Sequence, residues 1–174
     1  LVRGAARAIS SLEQLPDFAC VASDVVSFWP DGSVNAFHLG RSVTTDSALG
    51  RVQEHMSDYW WSYVYGIQRT QHLRVALDSV AAVISTPEFL DFPNAAGYEL
   101  TFEITGAALG KLWKSPEVLL LKRVGNETTP TGVYGMDDWL KDTQAQSAVS
   151  AWRLNLSEEL APHLRASPTV VEGW

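Results

Sequence analysis

The chain reads as an α+β protein, with N-terminal helices packed on a mainly antiparallel sheet and additional helices at the C-terminal end. Three observations predict this. Apolar residues recur at spacings of three and four over Val2–Leu15 and again over Thr44–Met56, the signature of helices buried on one side. "YELTFEIT", residues 98–105, alternates strictly between apolar and polar, the signature of a half-buried strand. Helical patterning returns from Met136, so strands and helices are grouped instead of alternating as a parallel α/β sheet requires.

The elements follow in order. Val2–Leu15 is a helix with Ala6, Ile9 and Leu12 on one face. Pro16 and Asp17 restart the chain. "DFACVASDVV" then suits a short second helix capped by Asp17, with Phe18, Val21, Val25 and Val26 as its buried stripe. "VVSFW" turns extended. "PDGS" at 30–33 is a turn, because Pro sets the first corner and Asp-Gly tolerates the second. "VNAFHL" returns as the partner strand. Thr44, Thr45 or Asp46 caps the next helix, which runs through Leu49, Val52 and Met56.

The aromatic run at 59–65 has two readings. As a strand it places Tyr59, Trp61, Tyr63 and Tyr65 on one face. As an extension of the preceding helix it continues a stripe through Met56, Tyr59, Trp60, Tyr63 and Ile67. "HLRVAL" and "VAAVIS" read as two short strands about Asp78-Ser79; a helix over 71–85, with Leu73, Leu77, Val80 and Ile84 aligned, is the competing pattern. Residues 86–97 form a loop with Pro87, Pro93 and Gly97. "YELTFEIT" is the clearest strand and "EVLLLKRV" a further one. "MDDWLKDTQAQSAVSAWRL" is a helix with Asp137 and Asp138 near its positive end. "SEELAPHL" is a short helix capped by Ser157, and the tail is irregular. One domain spans 1–174, with 136–174 as a helical C-terminal extension.

Composition limits the function. The net charge of −7 and the 13 scattered Lys and Arg argue against a nucleic-acid binder. No apolar stretch is long enough for a membrane span. Cys20 is the single cysteine, so the chain holds no internal disulfide and no cysteine-rich zinc site. It reads as a small buried hydrophobe, inert as a nucleophile, and favours a reducing compartment such as the cytoplasm. "LVRGAARAISSL" has some organelle-presequence character, although an ordinary first helix explains it as well. Asn126-Glu-Thr and Asn155-Leu-Ser match the glycosylation triplet, which arises often by chance.

No phosphate cradle, dinucleotide turn or nucleophile elbow is present, and no pair of histidines has local metal-ligand spacing, although residues distant in sequence can meet in space. Acid–base groups remain. His72 is the leading catalytic candidate, because imidazole titrates near neutrality. Asp24, in the apolar setting "VASDVVSFW", is the second, since a partly buried carboxylate has its charged form disfavoured. Seven Trp residues are many for this length. Trp29, His38, Trp61, Tyr63 and Tyr65 are the candidate walls of a substrate pocket, while core packing and a protein interface remain alternative uses of the same aromatics.

"DFACVASDVVSFWPDGS" resembles the short helix and first strand of nuclear transport factor 2-like proteins, the α+β cone shared with polyketide cyclases and small dehydratases. "HLGRSVTTDSALGRVQEHM" resembles the strand end and third helix that follow in that family, and "RTQHLRVALDSVAAVIS" the next hairpin, whose start often carries a histidine. The likeness covers residues 1–105. It implies a curved sheet wrapped about a helix, an apolar cavity, and isomerase, dehydratase or cyclase chemistry on a hydrophobic small molecule, without cofactor or metal, with His72 as the acid–base group. The alternative is a non-enzymatic interaction domain or assembly subunit with an aromatic surface, which leaves a homo-oligomer open.

Overall fold

The computed structural model describes residues 2–37, 40–58, 61–85, 94–124 and 143–164. In chain order these form α1 (Val2–Gln14), β1 (Phe18–Phe28), β2 (Val34–Phe37), α2 (Ala48–Ser57) and a 3-10 helix (Trp61–Tyr65). β3 (Ile67–Gln68), α3 (Thr70–Ile84), α4 (Asn94–Leu109), β4 (Lys111–Arg123) and α5 (Thr143–Leu164) follow. The class is α+β, an open mixed sheet with a long C-terminal helix.

β1 is the spine of the sheet. β4 runs parallel to it along its whole length, from Phe18↔Lys111 to Phe28↔Arg123. The opposite edge is shared by two short antiparallel partners, β3 at Cys20–Val21 and β2 at Val25–Phe28. The longest pairing is thus parallel, although the shorter two are antiparallel. β4 carries extra residues between Lys114 and Val118, opposite the short step from Ala22 to Asp24. Pro116 lies in that interval; it has no N–H to give a ladder, so a bulge is where a sheet tolerates it.

The two faces of β1 serve different cores. Val21, with Trp113 and Leu119 of β4, packs against Ala8 and Leu12 of α1. Cys20 and Ala22, with Leu112, join the larger core of Val52, Val83, Ile104, Leu156 and Leu160 from α2, α3, α4 and α5. A strand covered on both sides has no polar face. Ala19 to Val25 is buried at every position, so the apolar run carries no strand period, and Phe18, Val21 and Val25 fall by coincidence at helical spacing. The short helix expected over 17–26 is therefore β1.

Helix packing corrects the expected stripes. In α1 the buried row is Gly4, Ala8 and Leu12, and Ile9 is half exposed. A Cβ at Gly4 would stand 3.0 Å from the Val118 carbonyl oxygen, so small residues let α1 lie close on β4. The two strands expected over 72–85 are the single helix α3, whose buried row is Ala76, Ser79 and Val83 while Leu77 faces out. α2 begins on Ser47, whose hydroxyl accepts from the Gly50 N–H at 3.1 Å. The three expected caps are used differently: Glu54 reaches back to the Thr44 and Thr45 N–H groups, and Asp46 pairs with Lys111.

The largest correction is α4. "YELTFEIT" alternates, yet it is helical, and every residue from Thr101 to Ala108 is buried. A helix enclosed on all sides shows no amphipathic stripe. Its polar residues are met inside the core: the Trp152 indole donates to the Thr101 hydroxyl at 2.8 Å, and Glu103 meets α2. The aromatic run resolves as a 3-10 helix over Trp61–Tyr65, neither strand nor α-helical extension; Tyr59 and Trp60 lie outside the described residues. α5 is continuous through Ser157 and Pro162, so the expected break and cap at Ser157 do not form. Residues 136–142, with Asp137 and Asp138, lie outside the described residues.

The turn at Pro30–Ser33 forms as its chemistry requires. Gly32 has φ +84°, a left-handed value that favours glycine, and Asp31 accepts from the Ser33 N–H at 2.9 Å. Gly66 is needed for another reason. A Cβ there would lie 2.6 Å from Cys20 Sγ and 2.7 Å from the Val21 carbonyl oxygen. Gly66→Ala is expected to cost about 1–3 kcal/mol by overpacking, read as a lower denaturant midpoint with an unchanged slope. A wild-type midpoint would contradict this close approach.

Candidate functional site

α2, α4 and α5 meet around a cavity of about 530 Å³. α2 contributes Gln53, Met56 and Ser57, α4 contributes Leu100 and Ile104, and α5 contributes Trp152, Arg153, Leu156, Ser157 and Leu160. The volume and the mainly apolar lining suit a small organic molecule. The lining is graded. Ile104, Leu156, Ser157 and Leu160 are buried, whereas Gln53, Met56, Ser57 and Arg153 are exposed. The inner donors are already used: Ser157 donates its hydroxyl to the Leu154 carbonyl at 2.7 Å, and Trp152 donates its indole N–H to Thr101. Apolar side chains therefore form the floor, and polar ones stand at the mouth.

Behind two of these walls lies a buried polar pair. His55 stands between Gln53 and Met56 on α2, and Glu103 between Leu100 and Ile104 on α4. His55 Nε2 is 3.0 Å from Glu103 Oε2, with the side chains 1% and 0% exposed. Glu103 Oε1 also accepts from the Val64 N–H at 3.1 Å. Burial pushes the Glu103 carboxyl above its ordinary value, against the lowering pull of His55 and of the Val64 N–H. Tyr63 closes the group: its ring stands edge-on to His55 at 5.5 Å, and its hydroxyl donates to the Arg41 carbonyl at 2.5 Å. Burial raises the Tyr63 phenol far above its usual range, helped by Cys20 and Glu103. The pair has no access to solvent and does not line the cavity; it ties α2 to α4.

Cys20 is 2% exposed and donates to the Tyr63 carbonyl at 3.6 Å. Burial, with the Glu103 charge beside it, holds the thiol far above its usual range. The native chain is therefore expected to resist iodoacetamide at about pH 8 and to react once denaturant is added. Fast labelling of the native chain would contradict this environment.

The candidates expected from the sequence are spread across the fold. His72 is the third residue of α3, half-buried, with Nε2 3.4 Å from the Gln71 amide nitrogen. Burial and then Arg69 hold its imidazole below the ordinary value. Asp24 is buried in β1 and paired with Lys114 of the parallel strand. Trp29 is half-buried where β1 runs into the turn. Tyr63 belongs to the His55–Glu103 group, and Tyr65 is 46% exposed with its hydroxyl 3.1 Å from Glu99. Trp61 has its backbone in the 3-10 helix, and His38 lies outside the described residues. None of Asp24, Trp29, Tyr63, Tyr65 and His72 is in the cavity wall.

Sequence reasoning missed His55, Glu103 and Trp152. One signal was there: His55 follows Val52 by three, on the buried side of α2, whereas Glu103 sits on the polar side of an alternating run. Among the described residues, no group of three His, Cys, Asp or Glu side chains is placed to hold a metal ion, and no helix is long and apolar enough to cross a membrane. No family model matches the chain, and no curated protein or solved structure is significantly similar to it.

Proposed function

We propose that the chain binds a hydrophobic small molecule in the cavity between α2, α4 and α5. The observation that carries this is the cavity itself, about 530 Å³ with an apolar floor and a polar mouth. The same class of ligand is what the resemblance to nuclear transport factor 2-like proteins implies. Binding stands ahead of acid–base catalysis, because the polar lining groups among the described residues are Gln53, Ser57, Arg153 and Ser157. None of these is a carboxylate, imidazole or thiol that would titrate near neutrality. Proton transfer by His72 or Asp24 would need a substrate held elsewhere.

The test is titration with a neutral fluorophore, N-phenyl-1-naphthylamine. Saturable binding is expected, weakened at least about tenfold by Leu100→Trp and by Met56→Trp, since one added ring removes much of a pocket of this size. Met56 is 40% exposed, so that variant places little demand on folding. Equal affinity in both variants would sink the proposal.

A second reading draws on one end of the sheet. Phe28 and Val34 face each other across β1 and β2, 38% and 66% exposed, and Leu121 on β4 is 48% exposed. Such a patch suits a protein partner. Sedimentation at rising concentration would show self-association lost in Val34→Asp if the partner is a second copy.

A further inference from the structure

We infer that the cavity's ligand is an amphiphile with a single acidic head, a carboxylate on an apolar tail. This rests on the cavity being a binding site and goes on to name what it selects. Among the described residues, Arg153 is the one charged side chain in the lining. It is exposed, one residue beyond Trp152, as are Gln53 and Ser57. Among the described residues the deeper lining offers no spare donor, because the Trp152 indole and the Ser157 hydroxyl already donate within the protein. An acceptor group driven to the floor would lose its water without a donor. The ligand must therefore be apolar at one end and polar at the other.

The sign of the head follows from Arg153. A guanidinium matches a carboxylate with two parallel N–H bonds, and it repels an ammonium. Arg153 already has an interaction of its own. Its five N–H donors leave capacity for a further acceptor, so the head would share the guanidinium with its present partner. The net charge of −7 opposes an anion at long range, but salt screens that repulsion beyond about 8 Å at physiological strength. The contact at the mouth then decides. Exposure limits its size, so the preference should be modest.

The experiment compares decanoate, decanol and decylammonium, each below its micelle concentration, as displacers of N-phenyl-1-naphthylamine from the full chain. Decanoate is expected to displace the fluorophore about tenfold more tightly than decylammonium, an attraction in one case and a repulsion in the other. Arg153→Gln should bring that ratio close to one, and Arg153→Lys should keep most of it. An acid-to-amine ratio near one on the wild type, or a ratio that survives Arg153→Gln, overturns the inference. In both of those outcomes decanol still competes, and the binding cavity stands. If none of the three displaces a bound fluorophore, or the fluorophore itself fails to bind, the cavity reading is wrong and this inference falls with it.

Discussion

Replacing Glu103 with Ala is expected to destabilise the chain by about 3–5 kcal/mol, the usual cost of removing one partner from a fully buried pair. Its carboxyl group pairs with His55 Nε2 at 3.0 Å and accepts from the Val64 N–H at 3.1 Å. Its loss takes a partner from a fully buried imidazole and an acceptor from a half-buried N–H. Glu103→Gln should cost far less. The amide oxygen can accept from Val64, and the amide N–H can donate to a neutral imidazole. Urea unfolding of the two variants separates an acceptor requirement from mere loss of volume. A Gln variant as weak as the Ala variant would show that charge, not hydrogen bonding, holds the pair.

The pair also sets a pH dependence. Glu103 is pushed up from 4.5 in the folded chain, so it keeps its proton there to higher pH than when unfolded. That contribution to stability is whole below the ordinary carboxyl value and is lost as pH rises through the folded one. Wild type should therefore lose stability relative to Glu103→Gln as pH climbs from about 4 towards neutrality. A constant difference across that range would mean that Glu103 titrates as it does in the unfolded chain.

Arg51→Ala carries the second large effect, about 2–4 kcal/mol, with a fall in Tm of about 2–4 °C for each kcal/mol in a chain of this size. Arg51 is 8% exposed and points at the end of α4. Its Nε donates to the Ala107 carbonyl and its Nη2 to the Ala108 carbonyl, both at 2.8 Å, while Nη1 donates to Asp46 O at 2.6 Å. One cation thus satisfies the last carbonyls of a buried helix, where the helix dipole is negative, and pins the segment that leads into α2. Burial lowers the guanidinium pKa, but from so high a value that the charge remains. Arg51→Lys should restore less than half the loss, because an ammonium cannot serve these spread acceptors at once. A variant within about 0.5 kcal/mol of wild type would show that water replaces these bonds at no cost.

Much of the outline was legible because local chemistry decides it. Pro30, Asp31 and Gly32 dictate a turn in any context that leaves them exposed. The helical character of 2–14 and 48–57 follows from apolar spacing alone, as does a β-type run ending at Arg123. The candidate site was hardly legible. His72 was singled out for its chemistry, yet the group that meets a buried carboxylate is His55, and the ring forming a cavity wall is Trp152. Only its spacing from Val52 marks His55 locally and nothing marks Trp152, since their partners lie 48 and 51 residues away in the chain.

By itself the sequence determined the α+β class, the first helix, the turn and its returning strand, and the single cysteine's place in a core. These rest on backbone preferences and on which side chains avoid water. Only the tertiary structure decided that 18–28 is a strand and that 70–84 and 94–109 are helices. β1 and α4 are covered on both faces or all around, and an element with no wet side shows no period. In α1 and α3 the contact rows are small residues, Gly4 and Ala8, Ala76 and Ser79, because close packing needs little side chain, while the larger Ile9 and Leu77 are left outside. Periodicity follows the large residues; close approach selects the small ones.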